Sequence, residues 1–244
     1  MTTSEQNDCR PWRIVRGDGA LLATAIHDGH AVRDNLIQLM AIDKPNRLRE
    51  EDPFTATWAN SAPTHVVGLQ SRFEFDLNRP REKAVYRTPE DAWGLQVWAN
   101  ELPESAVAKS LSHYDSFYED MDQLLTEMVG HYGPIVVFDF HSYNCRRQGP
   151  DAPEDSLDFP EINLGTGTMD REYWTPVVDR FLADLRGHDF SGRHLDIREN
   201  VVFQGGNLAR WIHANFPKTV CVLSIEVKKF FMDEWTGEPD LKVI

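Results

Sequence analysis

Apolar residues fall into short dense runs separated by longer stretches with helical spacing. "ALLATAI" (20–26), "HVVGLQSRFEFDL" (65–77), "IVVFDF" (135–140) and "TVCVLSIEV" (219–227) each predict a strand, and "HLDIRENVVF" (194–203) a fifth, less apolar one. Between them, Tyr114, Phe117, Tyr118, Met121, Leu124, Leu125 and Met128 follow steps of three and four, one apolar stripe on a helix. Trp174, Val177, Val178, Phe181, Leu182 and Leu185 repeat the pattern. "TPED" at 88–91 reads as a helix start, with Thr88 as cap and Pro89 at the first helical position. Strands alternating with helices predict an α/β fold with a mostly parallel sheet covered on both faces. The stretch 143–170, loop-rich and acidic, predicts a long surface loop.

Composition narrows the class. A chain of 244 residues suits one α/β domain, 1–244, with a substantial core. Its formal net charge of −14 argues against nucleic acid or an anionic membrane as partner, since both call for basic surface. Cys9, Cys145 and Cys221 form no CxxC pair, as expected in a reducing compartment. "MTTSEQNDCRPW" lacks the basic and then apolar regions of a secretory signal, and no apolar run approaches a membrane span. Together these predict a cytoplasmic protein.

The strand ends carry the chemistry. "ATAIHDGH" leads to His27 and His30, "VVFDFHSYN" to His141, and "CVLSIEVKK" to Glu226. Sites in open α/β sheets form beyond the carboxyl ends of the strands, so these groups would converge there. Imidazoles suit Zn²⁺, which in a hydrolytic site takes three protein ligands and leaves one position for water. A carboxylate beside it that is not a ligand serves as general base. Each piece also has an ordinary structural reading: a strand-end histidine is commonly hydrogen-bonded structure, HxxH is a weak motif, and Glu226 would pair with Lys228 or Lys229 at a surface.

"SRFEFDLNRPRE" (71–82) supplies cations. Arg72 and Arg79, with Asn78 adjacent, suit bidentate binding of a carboxylate and stabilisation of a developing oxyanion. The bland alternative is an edge strand with salt bridges. In "FQGGNLARW" (203–211), Gly205 and Gly206 would let backbone approach a ligand, or simply make a tight turn.

These pieces, "IHDG", "SRFEFDLNRP", "DFHS", "FQGGNLARW" and "IEVKKFFMDE", resemble the N-formylglutamate amidohydrolase family, relatives of the zinc carboxypeptidases and aspartoacylases, in the family's order over roughly residues 26–234. The resemblance implies a phosphorylase/hydrolase-like three-layer α/β fold and zinc-dependent hydrolysis of a small N-acyl amino acid, with N-formylglutamate as one candidate. It implies His27 and His141 as metal ligands and Glu226 as general base. It further implies Arg72 as carbonyl stabiliser, Asn78 with Arg79 as the clamp on the substrate's α-carboxylate, and the glycine turn as pocket lining. Carboxypeptidase relatives place a Glu three residues after the first His, where this chain has His30, which is therefore expected as the third ligand. The alternative is a carboxylate from "REEDPF" (49–54), Glu51 or Asp52. A metallocarboxypeptidase-like peptidase and a non-catalytic binding module for an acidic metabolite remain as alternative functions.

Overall fold

The computed structural model describes residues 10–153 and 158–244. Seven strands form one mixed sheet in the order β1-β3-β2-β4-β7-β5-β6: β1 (Trp12–Val15), β2 (Leu21–Ala25), β3 (Thr64–Gly68), β4 (Ile135–Tyr143), β5 (Ile162–Gly165), β6 (Ile197–Glu199) and β7 (Val220–Lys228). The central strands β3, β2, β4 and β7 run parallel, while β1 on β3 and β5 on β7 pair antiparallel. After β2 come the short α1 (Asp34–Ile37) and α2 (Lys44–Glu50), and the later helices cover both faces. Toward one face, Leu22, Val66, Val137, Val220 and Val222 pack with α4 (Glu104–Tyr132) and α6 (Asn207–Asn215). Toward the other, Ala23, Ala25 and Val67 pack with Ala59 of α3 (Thr55–Ala59), and Leu164, Cys221 and Leu223 with α5 (Thr175–Gly187). The expected three-layer α/β architecture is therefore present, its central strands buried on both faces as a parallel sheet requires. No helix among the described residues is long and apolar enough to cross a membrane.

The element boundaries differ from the sequence reading in instructive places. The strand expected over 65–77 ends at Gly68, and residues 71–79 form successive turns instead, with Ser71 O accepting from Glu74 N at 2.9 Å and Asp76 O from Arg79 N at 3.2 Å. The alternation there is misleading because both sets of side chains are buried. Phe73, Phe75 and Leu77 face apolar core, while Glu74 and Asp76 are enclosed with Arg33 and Arg72. The strand expected over 194–203 shrinks to three residues, ending before Asn200, which takes a left-handed φ of 57°. The expected loop 143–170 contains β5, whose four residues were too few to register as an apolar run. At 88–91 the capping box forms between Thr88 and Asp91, but the helix it starts is a single 3-10 turn, Pro89–Ala92.

Candidate active site

On the α4/α6 face, three of the central strands, β2, β4 and β7, change character toward their carboxyl ends in steps of two. Leu22 is followed by Thr24, Val137 by Asp139 and His141, and Val222 by Ser224 and Glu226. Period-two geometry stacks these side chains on one side of the sheet. The register sets Thr24 beside Asp139, and His141 beside Glu226. Strands β4 and β7 continue beyond this point, to Tyr143 and Lys228, so His141 and Glu226 stand on regular backbone rather than on a loop. His27 enters from just past the end of β2.

Three donors meet there: His27, Asp52 and His141, all buried, with one ligand atom from each lying within 4.8 Å of the others. Asp52 Oδ2 is the hinge of the group, 3.0 Å from His141 Nδ1 and 3.4 Å from His27 Nδ1. The far nitrogen of each ring faces a second buried carboxylate, His27 Nε2 at 2.8 Å from Asp76 Oδ1 and His141 Nε2 at 3.3 Å from Asp139 Oδ2. Imidazoles that bind metals are typically oriented by such a carboxylate on the opposite nitrogen. His27 Nδ1 is buried and has no hydrogen-bond partner. An orphaned ring nitrogen aimed at a carboxylate oxygen, beside a second imidazole, fits a divalent cation. It does not fit a packed core, where such an atom would be paired.

The electrostatics agree. Burial would raise the Asp52 carboxyl, but His141, hydrogen-bonded to it, and the nearby His27 hold it well below the usual carboxylate range. Burial likewise opposes charge on His141, yet Asp139 and then Glu226 outweigh it and keep the ring's pKa well above normal. Glu226 differs from its neighbours: burial, reinforced by Asp52 and Asp139 and opposed by His141 and Arg72, pushes it up to about 7. A carboxylate poised there can exchange a proton near neutrality.

His27, Asp52, His141 and Glu226 line a cavity of about 440 Å³ that also receives Arg72, Asn78, Arg79, Gly205 and Gly206. Arg72 is held by Asp76 at 2.7 Å, by the Glu50 carbonyl at 3.2 Å and against the Tyr86 hydroxyl at 3.3 Å, with N–H groups left over. Arg79 is looser, its nearest acid being Asp76 at 3.9 Å. Asn78 lines the cavity and also bonds within the protein. Its Oδ1 accepts from Leu208 N at 3.1 Å and its Nδ2 lies 3.4 Å from His141 Nε2. Gly206 makes room for it, since a Cβ there would stand 2.1 Å from Asn78 Oδ1, and Gly205 turns the chain with a φ of +111°.

His30 is not brought into the cluster. Beyond β2 the chain docks on the exit of β3, with Ala31 N donating to Leu69 O at 3.2 Å, and His30 is directed outward. Its Nδ1 lies 2.7 Å from Glu51 Oε2, its side chain is 39% exposed, and it lines a separate cleft. Of the two carboxylate alternatives, Asp52 joins the histidines, while Glu51 faces His30 and Ser71. Sequence reasoning also passed over Asp76 and Asp139. Both had a signal: Asp76 is four residues from Arg72, and Asp139 shares a strand face with His141. Nor does Glu226 meet Lys229 at a surface. Lys229 is buried, donates to the carbonyls of Arg49 (2.5 Å) and Glu51 (2.8 Å), and is pushed by burial down to about 8. It thereby fixes the segment leading into Asp52.

Fold and site together define an α/β protein with an imidazole–carboxylate centre at the carboxyl edge of its sheet. The family model of the N-formylglutamate amidohydrolases matches residues 19–232, and the chain belongs to that family of amide-hydrolysing enzymes. Among solved structures it is similar to an N-formylglutamate amidohydrolase from Ralstonia eutropha JMP134 (TM-score 0.72, 14% identity, 95% of this chain and 90% of the other). It is also similar to the Atu2144 gene product of Agrobacterium tumefaciens (TM-score 0.68, 18% identity, 91% and 86%). At these identities the likeness shows the fold. A search of curated proteins finds no match.

Proposed function

We propose that the chain is a zinc-dependent amidohydrolase that removes the acyl group from a small N-acyl amino acid, N-formylglutamate being the first candidate. The observation that carries this reading is the meeting of His27, Asp52 and His141 with Glu226 in one cavity. His27, Asp52 and His141 would hold the ion, two nitrogens and an oxygen being a donor set that zinc favours. When bound, a divalent cation supplies Lewis acidity and makes water a nucleophile near neutral pH. Glu226 accepts a proton from the attacking water and delivers it to the leaving amine nitrogen. Arg72, rigidly held by Asp76, presents its remaining N–H groups to the acyl oxygen as negative charge develops. Arg79, loosely paired, is available to the substrate's carboxylate as a bidentate partner. Asp76 and Asp139 keep the two imidazoles in orientation.

The test is Glu226→Gln. It preserves size but cannot accept the proton, so kcat on N-formylglutamate should fall on the order of 10²–10⁴-fold. Zinc content and calorimetric substrate affinity should hardly move. Undiminished turnover in the variant refutes the general-base role. A wild type inert on a panel of N-formyl and N-acetyl amino acids, yet binding them, favours a binding module instead.

A further inference from the structure

Between Ala92 and Gly94 the chain puts a very large side chain where a small one is usual. Trp93 closes the 3-10 turn Pro89–Ala92 at φ 54° and ψ 28°, the left-handed region that residues with a Cβ disfavour. Its indole is 42% exposed, so burial does not account for it. Three guanidinium groups surround the ring instead, Arg72 at 4.9 Å, Arg147 at 5.7 Å and Arg79 at 5.8 Å from its centroid. All three arginines and Trp93 line the cavity that holds His27 and Glu226. Arg72 and Arg147 are also answered by acids, Asp76 at 2.7 Å and Glu50 at 3.0 Å, whereas Arg79 has Asp76 only at 3.9 Å. Three like charges on one wall repel, and an indole face is the aromatic surface that holds guanidinium best.

We propose that Trp93 is a positioning residue that sets the pocket's selectivity for anions. Its ring gathers arginines from two separate segments, 72–79 and the connection after β4, onto one wall. A substrate carboxylate then meets guanidinium groups already assembled. The inference rests on the reading of the site as one for small acidic substrates, and it assigns that preference to a residue outside the motifs that carry the family resemblance.

Trp93→Phe keeps a smaller π face and Trp93→Ala none; the side chain's exposure leaves the fold intact in both, as a melting curve verifies. KM for N-formylglutamate should rise roughly tenfold in the Ala variant, with the Phe variant between and kcat changed much less. With an N-formyl amino acid amide, which carries no negative charge, KM should be indifferent to either substitution. Equal losses on charged and neutral substrates, or a loss carried by kcat, overturn the proposal. Binding of glutarate, a dicarboxylate with no acyl group to remove, separates this from failure of the hydrolase reading. Its calorimetric Kd should weaken about tenfold in Trp93→Ala even if no N-acyl amino acid is turned over. An unchanged Kd for glutarate sinks the anion wall.

Discussion

The two faces of the sheet are built from the same strands and end differently. Toward α3 and α5, the rows stay apolar almost to the carboxyl edge: Ala23 and Ala25, Val136, Phe138 and Phe140 before the terminal Ser142, and Cys221, Leu223 and Ile225. Toward α4 and α6, the rows begin apolar and become Thr24, Asp139 and His141, and Ser224 and Glu226. Neighbouring residues on one strand thus serve opposite purposes. The apolar row is bolted to a helix layer and fixes the backbone; the polar row inherits that rigidity without contributing to it. Precise placement of catalytic groups depends on such support. The cost is concentrated on one side, where buried Asp52, Asp76, Asp139 and Glu226 must be answered by imidazoles, guanidinium groups or a cation.

The widest separation of the two faces is expected at His141. Replacing it with alanine removes one of the three proposed metal donors, and bound metal, measured by elemental analysis, should be lost together with all turnover. The protein should still fold, because Val137 and the row facing α5 are untouched. Stoichiometric zinc in His141→Ala would remove His141 from the ligand set.

A substitution on the opposite face should do the reverse. Leu223 is fully buried against the α5 layer, one strand position from Ser224 on the site face. Leu223→Ala should cost about 2–5 kcal/mol of stability, read from the denaturant midpoint. At temperatures where the variant stays folded, kcat and KM should remain close to the wild type. A large loss of kcat in fully folded Leu223→Ala would mean that the two faces are not separable.

The strand ends were legible in the sequence because apolar runs such as "VVFDFHSYN" stop in polar residues, and His27, His141 and Glu226 follow from that position; the alternation that puts Asp139 on the face of His141 carries further information of the same kind. What the rule cannot reach is chain that approaches the site without a period. Asp52 arrives on a connection between two short helices, and Asp76 on turns that imitate an alternating strand. His30 was favoured on spacing alone, but spacing does not report the docking of residue 31 on the exit of β3, which directs His30 away. The short strands β1, at the sheet edge, and β5, between β7 and β6, escape a sequence reading for a related reason: four residues bounded by polar chain give little signal, and their pairing is decided by the sheet.

The last and smallest effect concerns what the site face costs the fold. In the metal-free protein Glu226 has its pKa raised from an ordinary 4.5 to about 7, chiefly by burial. A group whose pKa is higher folded than unfolded stabilises the fold fully only below the unfolded value, and that contribution is lost as pH rises through the folded one. Chelator-treated wild type should therefore lose stability between about pH 4.5 and pH 7 relative to Glu226→Gln, which has no proton to lose there. Above pH 7 the variant should be the more stable, by up to about 3 kcal/mol if the whole shift is expressed. The gap should close as pH falls toward 4.5. Denaturant titrations of both metal-free proteins at pH 5 and pH 8 make the measurement. A gap that is absent at pH 8, or equal at both, would show that the ionised carboxylate is no burden to the fold. The site face would then be as well compensated as the apolar face behind it.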